Sequence, residues 1–308
     1  MRTKAREWLT WTDLTTAMWL VAGLPAAFLS RNQRWRICQA FARLAIRGRR
    51  ARDARQRIEL IGGLSPATAD RVVHWLYTAR LAANLDVVRS VLREPDVRIT
   101  CSGLDALEAA LSAGRGAVLW VSDFAGAGDV TKIALARARF RVTHLSRTEH
   151  GFSQSVFGIR FLNPIRLRFE RAWLDGRVVF DRGNPASAML ELSRRLRANG
   201  IVSITASAHE GRTLVRADFF RGTIQLATGA LRLAALVEAP LIPVFTIPRS
   251  GEPGAFDVIV EPPLQFPAGM PEKQAMLSAA TEYLDRLELH VTRQPESWVG
   301  WRRNDHLT

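Results

Sequence analysis

The chain has two cysteines, Cys38 and Cys101, far apart and without metal-ligand spacing, which excludes a disulfide framework or a zinc site and suits a reducing compartment. Lysine is nearly missing too. Lys4, Lys132 and Lys273 are the only three in 308 residues, so the formal net charge of +14 is carried by arginine. Part of that bias reflects base composition, and the aromatics near the arginines lie on an apolar helix face, so nucleic acid is not an expected partner. There is no phosphate-binding P-loop, no Gly-rich dinucleotide fingerprint between a strand and a helix, and no Gly-x-Ser-x-Gly elbow. Internal repeats and low-complexity linkers are also absent. What is there is the composition of a folded chain, 47% hydrophobic and 23% charged.

Charge is distributed unevenly. Residues 31 to 57 hold ten arginines against the single acid Asp53, with Trp35, Ile37, Phe41, Leu44 and Ile46 interleaved at helical spacing, the pattern of a basic amphipathic helix. Just before it, Leu14 to Ser30 is uncharged for 17 residues, roughly 25 Å of helix and near the lower limit for crossing a bilayer core. Trp8, Trp11 and Trp19 suit a membrane interface, and the arginines that follow would keep the rest of the chain cytoplasmic. A membrane-associated helical segment over residues 1–60 is the expectation, against a buried core helix followed by a solvated basic face. A cleaved leader is not expected, for want of a small-residue cleavage site.

From residue 61 onward the chain reads as one α/β domain. Leu64 to Arg93 is one or two helices opened by Ser65-Pro66. Strands are expected at 97–101, 117–121, 140–145, 178–180, 201–206, 241–247 and 256–260, with helices at 104–112, 129–138, 186–198, 224–237 and 272–291. Alternation of this kind predicts an α/β fold with a mostly parallel central sheet flanked by helices.

The most informative stretch is Ala117 to Asp129, an apolar run that empties into a small-residue loop ending in an acid. Loops at the C-terminal ends of buried strands are where such folds keep their chemistry. Around it stand Gly103-Leu104-Asp105-Ala106-Leu107, Ala113-Gly114-Arg115-Gly116, Phe219-Phe220-Arg221-Gly222, Ala239-Pro240-Leu241-Ile242-Pro243-Val244, Pro295-Glu296-Ser297-Trp298 and Trp301-Arg302-Arg303. In this order, over nearly the whole chain, these blocks resemble the lipid A biosynthesis acyltransferases, the lauroyl and myristoyl transferases of the wider lysophospholipid acyltransferase superfamily. The resemblance implies an enzyme at the cytoplasmic face of a bacterial inner membrane, with its anionic surface, that moves a fatty acyl group to a lipid or glycolipid acceptor. It implies no cofactor beyond the co-substrate, an acyl carrier protein or coenzyme A thioester.

The family's machinery is a histidine, four intervening residues and an acid, in which the histidine takes the acceptor's proton. Here Asp123 stands in the histidine position and Gly128 in that of the acid, with Asp129 one residue later. An aspartate, with an ordinary pKa near ~4, would need burial or a neighbouring acid to serve as a base. Asp123 and Asp129 together are the expected catalytic pair, with His209 as a displaced alternative, although His209 and Glu210 are adjacent and would point to opposite faces of an extended chain. Phe124, Arg147, Glu210, Arg212, Phe220, Arg221 and Gly222 are the substrate-binding candidates. His144, with Glu149 five residues on, satisfies the family spacing literally but lies at the end of a different strand and is read as coincidence. His74 and His150 are read as ordinary helix or loop residues.

Overall fold

The computed structural model describes residues 7–26, 28–147, 151–180, 184–207, 213–266, 270–302 and 307–308, leaving aside the side chains of residues 12, 19, 22, 91, 92 and 185. Four helices come first: α1 (Trp11–Ala26), α2 (Arg31–Ala45), α3 (Arg49–Leu60) and α4 (Pro66–Leu92). Then follow β1 (Arg98–Ser102), α5 (Asp105–Ser112), β2 (Ala117–Val121), α6 (Val130–Arg137), β3 (Val142–Arg147) and a π-helical turn, Gly158–Leu162, that runs into α7 (Asn163–Arg171). The rest is β4 (Gly176–Phe180), α8 (Pro185–Arg197), β5 (Ile201–Thr205), β6 (Leu214–Phe219), β7 (Gly222–Ala227), α9 (Gly229–Val237), β8 (Leu241–Pro248), β9 (Ala255–Val260) and α10 (Glu272–Arg293).

Seven strands form one sheet in the order β1-β9-β8-β2-β5-β3-β4. Five of them, from β8 to β4, are mutually parallel, whereas β9 runs antiparallel to β8 and carries β1 with it. The mixed α/β fold with a mostly parallel sheet is thus as expected. The apolar runs of β2, β5 and β8 lie in the middle of the sheet and are buried along nearly their whole length, as parallel strands covered on both faces must be. At the β1–α5 junction the backbone comes so close to β9 that only glycine fits: Gly103 has φ +73°, and a Cβ there would sit 1.8 Å from the Val260 carbonyl oxygen.

One expected helix is corrected. Residues 224 to 228 are not helical. Gly222–Ala227 is a strand paired antiparallel with β6, and α9 begins only at Gly229. Ile224 and Leu226 are buried on alternation with exposed or half-buried neighbours, a period of two that merges with the following helix in so short a run. The basic stretch is two helices parted at Gly48, and Leu64 to Arg93 is a single helix capped by the Ser65 side chain.

The N-terminal helices are part of the same packing. Ala51, Ala54 and Ile58 of α3 lie in the core that also holds the sheet, so burial is continuous across residue 60. In α2 the buried side chains are Arg34, Cys38 and Ala42, while Phe41 and Leu44 face outward. Arg34 is tolerated there because its guanidinium donates to the Leu29 carbonyl at 2.7 Å and pairs with Asp86 at 3.3 Å. No helix among the described residues is long and apolar enough to cross a membrane. Instead α1 lies on α4, so closely that a Cβ on Gly23 would be 2.6 Å from the Leu85 side chain. Its other face exposes Trp11, Leu14, Met18 and Val21, a stripe extended by Trp8 and Phe28.

Asp13 fixes the start of α1. It is wholly buried, and its carboxylate accepts from the Thr10 N–H and hydroxyl at 2.6 Å each while Thr10 Oγ1 accepts from the Asp13 N–H at 3.3 Å, a reciprocal cap. Burial acts to raise the Asp13 carboxyl, but hydrogen bonds from Ser153, Thr10 and Ser155 outweigh it and hold the group below its ordinary range. A depressed folded-state value means stability present above the unfolded value and lost as pH falls through the folded one. Asp13→Asn is therefore expected to cost about 1–2 kcal/mol at pH 7, and the gap to wild type should close below roughly pH 4, as measured by denaturant unfolding at a series of pH values.

Candidate active site

β2 occupies the centre of the sheet between β8 and β5, and the chain leaves it through Ser122, Asp123 and Phe124. The C-terminal segment holds this exit in place. The Ala125 N–H donates to the Ser297 carbonyl at 2.7 Å and the Val299 N–H to the Asp123 carbonyl at 3.1 Å, so Phe124 and Trp298 pair as a short antiparallel bridge. Trp298 packs on Phe219 and Trp301, with ring centroids 5.0 and 4.9 Å away. Trp301 donates its indole N–H to the Pro295 carbonyl at 3.0 Å. Phe220 joins this cluster through Trp301 at 5.7 Å, the Arg221 guanidinium lies against Gly63, and Gly222 closes the β6–β7 turn opposite Phe219. The blocks around Phe219 and Trp298 therefore meet each other and brace the Asp123 loop. None of Phe124, Phe220, Arg221 and Gly222 lines the cavity that this loop borders.

That cavity measures about 440 Å³ and opens at the C-terminal ends of β2, β5 and β3. Asp123 lines it, and so do Lys132, His144, Arg147, Arg166, Ser203 and Arg232. Of the residues expected from sequence, the structure thus brings Asp123 and Arg147 together. His209, Glu210 and Arg212 lie outside the described residues, as do Glu149 and His150; Ser207 and Thr213, which flank the first three, both line the cavity. His144 is a cavity residue, nearly buried, with Nδ1 2.8 Å from the Ser203 hydroxyl of the adjacent strand. His74 ties α4 to α2 through the Gln39 carbonyl at 3.1 Å.

Asp129 goes elsewhere. It borders a second cavity of about 540 Å³, walled by α2, α4 and the β8–β9 turn, and not the one that Asp123 lines. Its two oxygens are taken by Lys132 Nζ at 3.3 Å and Arg166 at 3.0 Å. Lys132 also reaches Glu170 at 3.1 Å, and Arg166 reaches the same Glu170 oxygen at 3.2 Å. Two cations and two anions therefore close a ring between α6 and α7, with Glu170 1% exposed. Asp129 holds the Arg166 guanidinium above its usual range against the effect of burial, with help from Glu170 and Asp123. Asp123 thus feels a cation on the side where a second carboxylate was expected.

Chemically, the described residues of the cavity offer one carboxylate able to accept a proton and several cations able to hold an anionic group or a developing oxyanion. Among the described residues no cluster of His, Cys, Asp and Glu is arranged to hold a metal ion. Lys132, Arg166 and Ser203 went unremarked at the level of sequence. Lys132 had a signal, since it is one of three lysines and lies in the first turn of the helix that follows the site loop. Arg166 had none among so many arginines. Removing one member of a buried ion ring leaves uncompensated charge, at a cost of about 3–5 kcal/mol. Glu170→Ala should destabilise the protein by that amount in chemical denaturation, and adding Lys132→Met to it should recover part of the loss.

The site loop, the sheet that presents it and the C-terminal brace together span most of the chain. Residues 2–304 match the family model described as bacterial lipid A biosynthesis acyltransferase. No curated protein matches the sequence. A match covering nearly the full length, in a chain whose sequence blocks converge on one loop at the centre of the sheet, places this protein in the bacterial lipid A biosynthesis acyltransferase family.

Proposed function

We propose that the protein transfers a fatty acyl group from an acyl carrier protein or coenzyme A thioester to a hydroxyl or amine of a lipid or glycolipid, at the cytoplasmic face of a bacterial inner membrane. The observation that carries this reading is the position of Asp123, at the exit of the central strand and on the wall of a largely apolar 440 Å³ cavity that also presents Lys132, Arg147, Arg166 and Arg232. In the proposed step Asp123 accepts the proton of the acceptor group as its oxygen or nitrogen bonds to the thioester carbonyl carbon. The carbonyl oxygen becomes an oxyanion, which the cations on the cavity wall, Lys132 and Arg147 among them, would stabilise. Collapse breaks the carbon–sulfur bond, and the thiolate recovers the proton from Asp123. A carboxylate is a weaker base than imidazole, so positioning and exclusion of water carry more of the rate enhancement than proton affinity does.

A second reading, a catalytically silent homologue that binds lipid or supports a partner enzyme, draws on one observation. Asp129 is committed to Lys132 and Arg166, so among the described residues the cavity has no second carboxylate beside Asp123 with which to share a proton. The two readings part on one substitution. Asp123→Asn keeps the shape and removes the base. For an enzyme working through this loop it should lower acyl transfer by about a hundredfold or more, measured with radiolabelled acyl thioester and membrane lipid as acceptor. Equal transfer by both proteins would remove Asp123 from the mechanism, and an unchanged cellular lipid profile on deletion of the gene would favour the silent homologue.

Membrane association belongs to the same proposal and is supported by the outward stripe of α1 together with Phe41, Leu44 and the exposed arginines of α2 and α3. An apolar stripe beside a basic surface fits a helix lying in the headgroup layer of an anionic bilayer better than one crossing it. Met18 and Val21 are 66% and 67% exposed, so charge can be placed there without disturbing the core. Met18→Glu with Val21→Glu is expected to reduce binding to vesicles containing phosphatidylglycerol about tenfold or more while leaving the melting temperature unchanged. Full vesicle binding by that variant would reject the stripe as the contact.

A further inference from the structure

A much smaller pocket, about 30 Å³, adjoins the site cavity and shares Ser122, Asp123 and Ser207 with it. Tyr283 of α10 lines its far wall together with Gln225 and Trp298. Tyr283 is completely buried, and its hydroxyl has no hydrogen-bond partner among the described residues. The ring has little freedom to seek one, because it packs on Trp120 at 4.2 Å and stacks on Phe245 at 5.7 Å between centroids. Buried hydroxyls are satisfied by protein or by ordered water, and leaving one unsatisfied is costly. A pocket of this size has room for a water molecule, and a buried water needs two to four polar partners. Tyr283, Asp123, Ser122, Ser207 and Gln225, each with a polar side chain, all line this pocket.

We infer that a single water bridges the Tyr283 hydroxyl to the Asp123 carboxylate, which makes Tyr283 a positioning residue for the proton acceptor. The inference rests on the proposed role of Asp123. Burial pushes the phenol well above its usual range, and the charges of Asp123 and Glu261 add to this, so the hydroxyl remains a donor throughout the working pH range. A donor held behind the carboxylate favours its ionised form and fixes its rotamer relative to the main cavity. Among the described residues, the other charges facing Asp123 are Lys132 of α6, Arg147 of β3, Arg166 of α7, Arg232 of α9 and Arg302 of the C-terminal segment, with His144 of β3 on the same wall. None of them changes when the phenol oxygen is removed.

The test is Tyr283→Phe in the full-length protein, with the Asp123 carboxyl followed by carbon-13 NMR and assigned by its disappearance in Asp123→Asn. Loss of the bridge should move the Asp123 titration to higher pH. In acyl transfer it should lower kcat roughly three- to tenfold with KM unchanged, and the acidic limb of the kcat profile should move in the same direction. Gln225→Met, which fills the pocket from β7, is the second variant and should produce the same shift. If the Asp123 titration is unmoved in both, Tyr283 has no part in positioning it. A moved titration in Tyr283→Phe combined with wild-type turnover by Asp123→Asn would keep the bridge and remove the base, so the two ideas fail separately.

Discussion

Two backbone hydrogen bonds, from Ala125 to Ser297 and from Val299 to Asp123, tie the exit of the central strand to the end of the chain, and the geometry of the site follows from them. A loop of small residues has little packing of its own to hold it. Here the constraint comes from segments distant in sequence: the Trp298 and Trp301 rings rest on the β6–β7 turn, and α10 delivers the segment that carries them. On the other side of the loop, the ring of Lys132, Glu170, Arg166 and Asp129 fixes α6 against α7. Asp123 is thus clamped between an apolar brace and an ionic one, the kind of support that a reactive group needs if it is to be held within a fraction of an ångström.

This arrangement gives the terminal sequence blocks a physical meaning. Pro295-Glu296-Ser297-Trp298 and Phe219-Phe220-Arg221-Gly222 have the look of ligand-binding motifs, being rich in aromatics and arginine. Instead Phe219 and Trp298 pack on each other with ring centroids 5.0 Å apart, and the Ser297 carbonyl accepts from the Ala125 N–H of the site loop. In this fold these motifs hold the backbone of the Asp123 loop.

Much of the architecture was legible because strand and helix differ in period and in their end signals. Ala117–Val121 is an uninterrupted apolar run ending at small residues, and its limits fall where the pattern places them. Ser65-Pro66 opens α4 as a cap followed by a proline should. The failures have equally local causes. Thr223 to Ala227 alternates for too few residues to be told from the helix that follows it, and the reversed direction of β1 and β9 leaves no mark in either strand. At the site, Asp123 and Arg147 could be found because each follows a recognisable strand. The partnership of Asp129 with Arg166 could not, because it joins residues 37 apart through a helix, α7, that the sequence did not announce. His144 shows the converse: a spacing read as coincidence still marked a side chain on the cavity wall.

The continuity of the core across residue 60 bears on how such a protein is inherited. Ala51, Ala54 and Ile58 are as deeply buried as the strands, and α1 and α2 both rest on α4, which packs in turn on α7. The N-terminal helices are therefore not a cassette that could be exchanged without disturbing the core of the sheet. Any change in their preferred surroundings has to come one exposed residue at a time, along the outward faces of α1 and α2, while their inner faces remain under the same selection as the sheet.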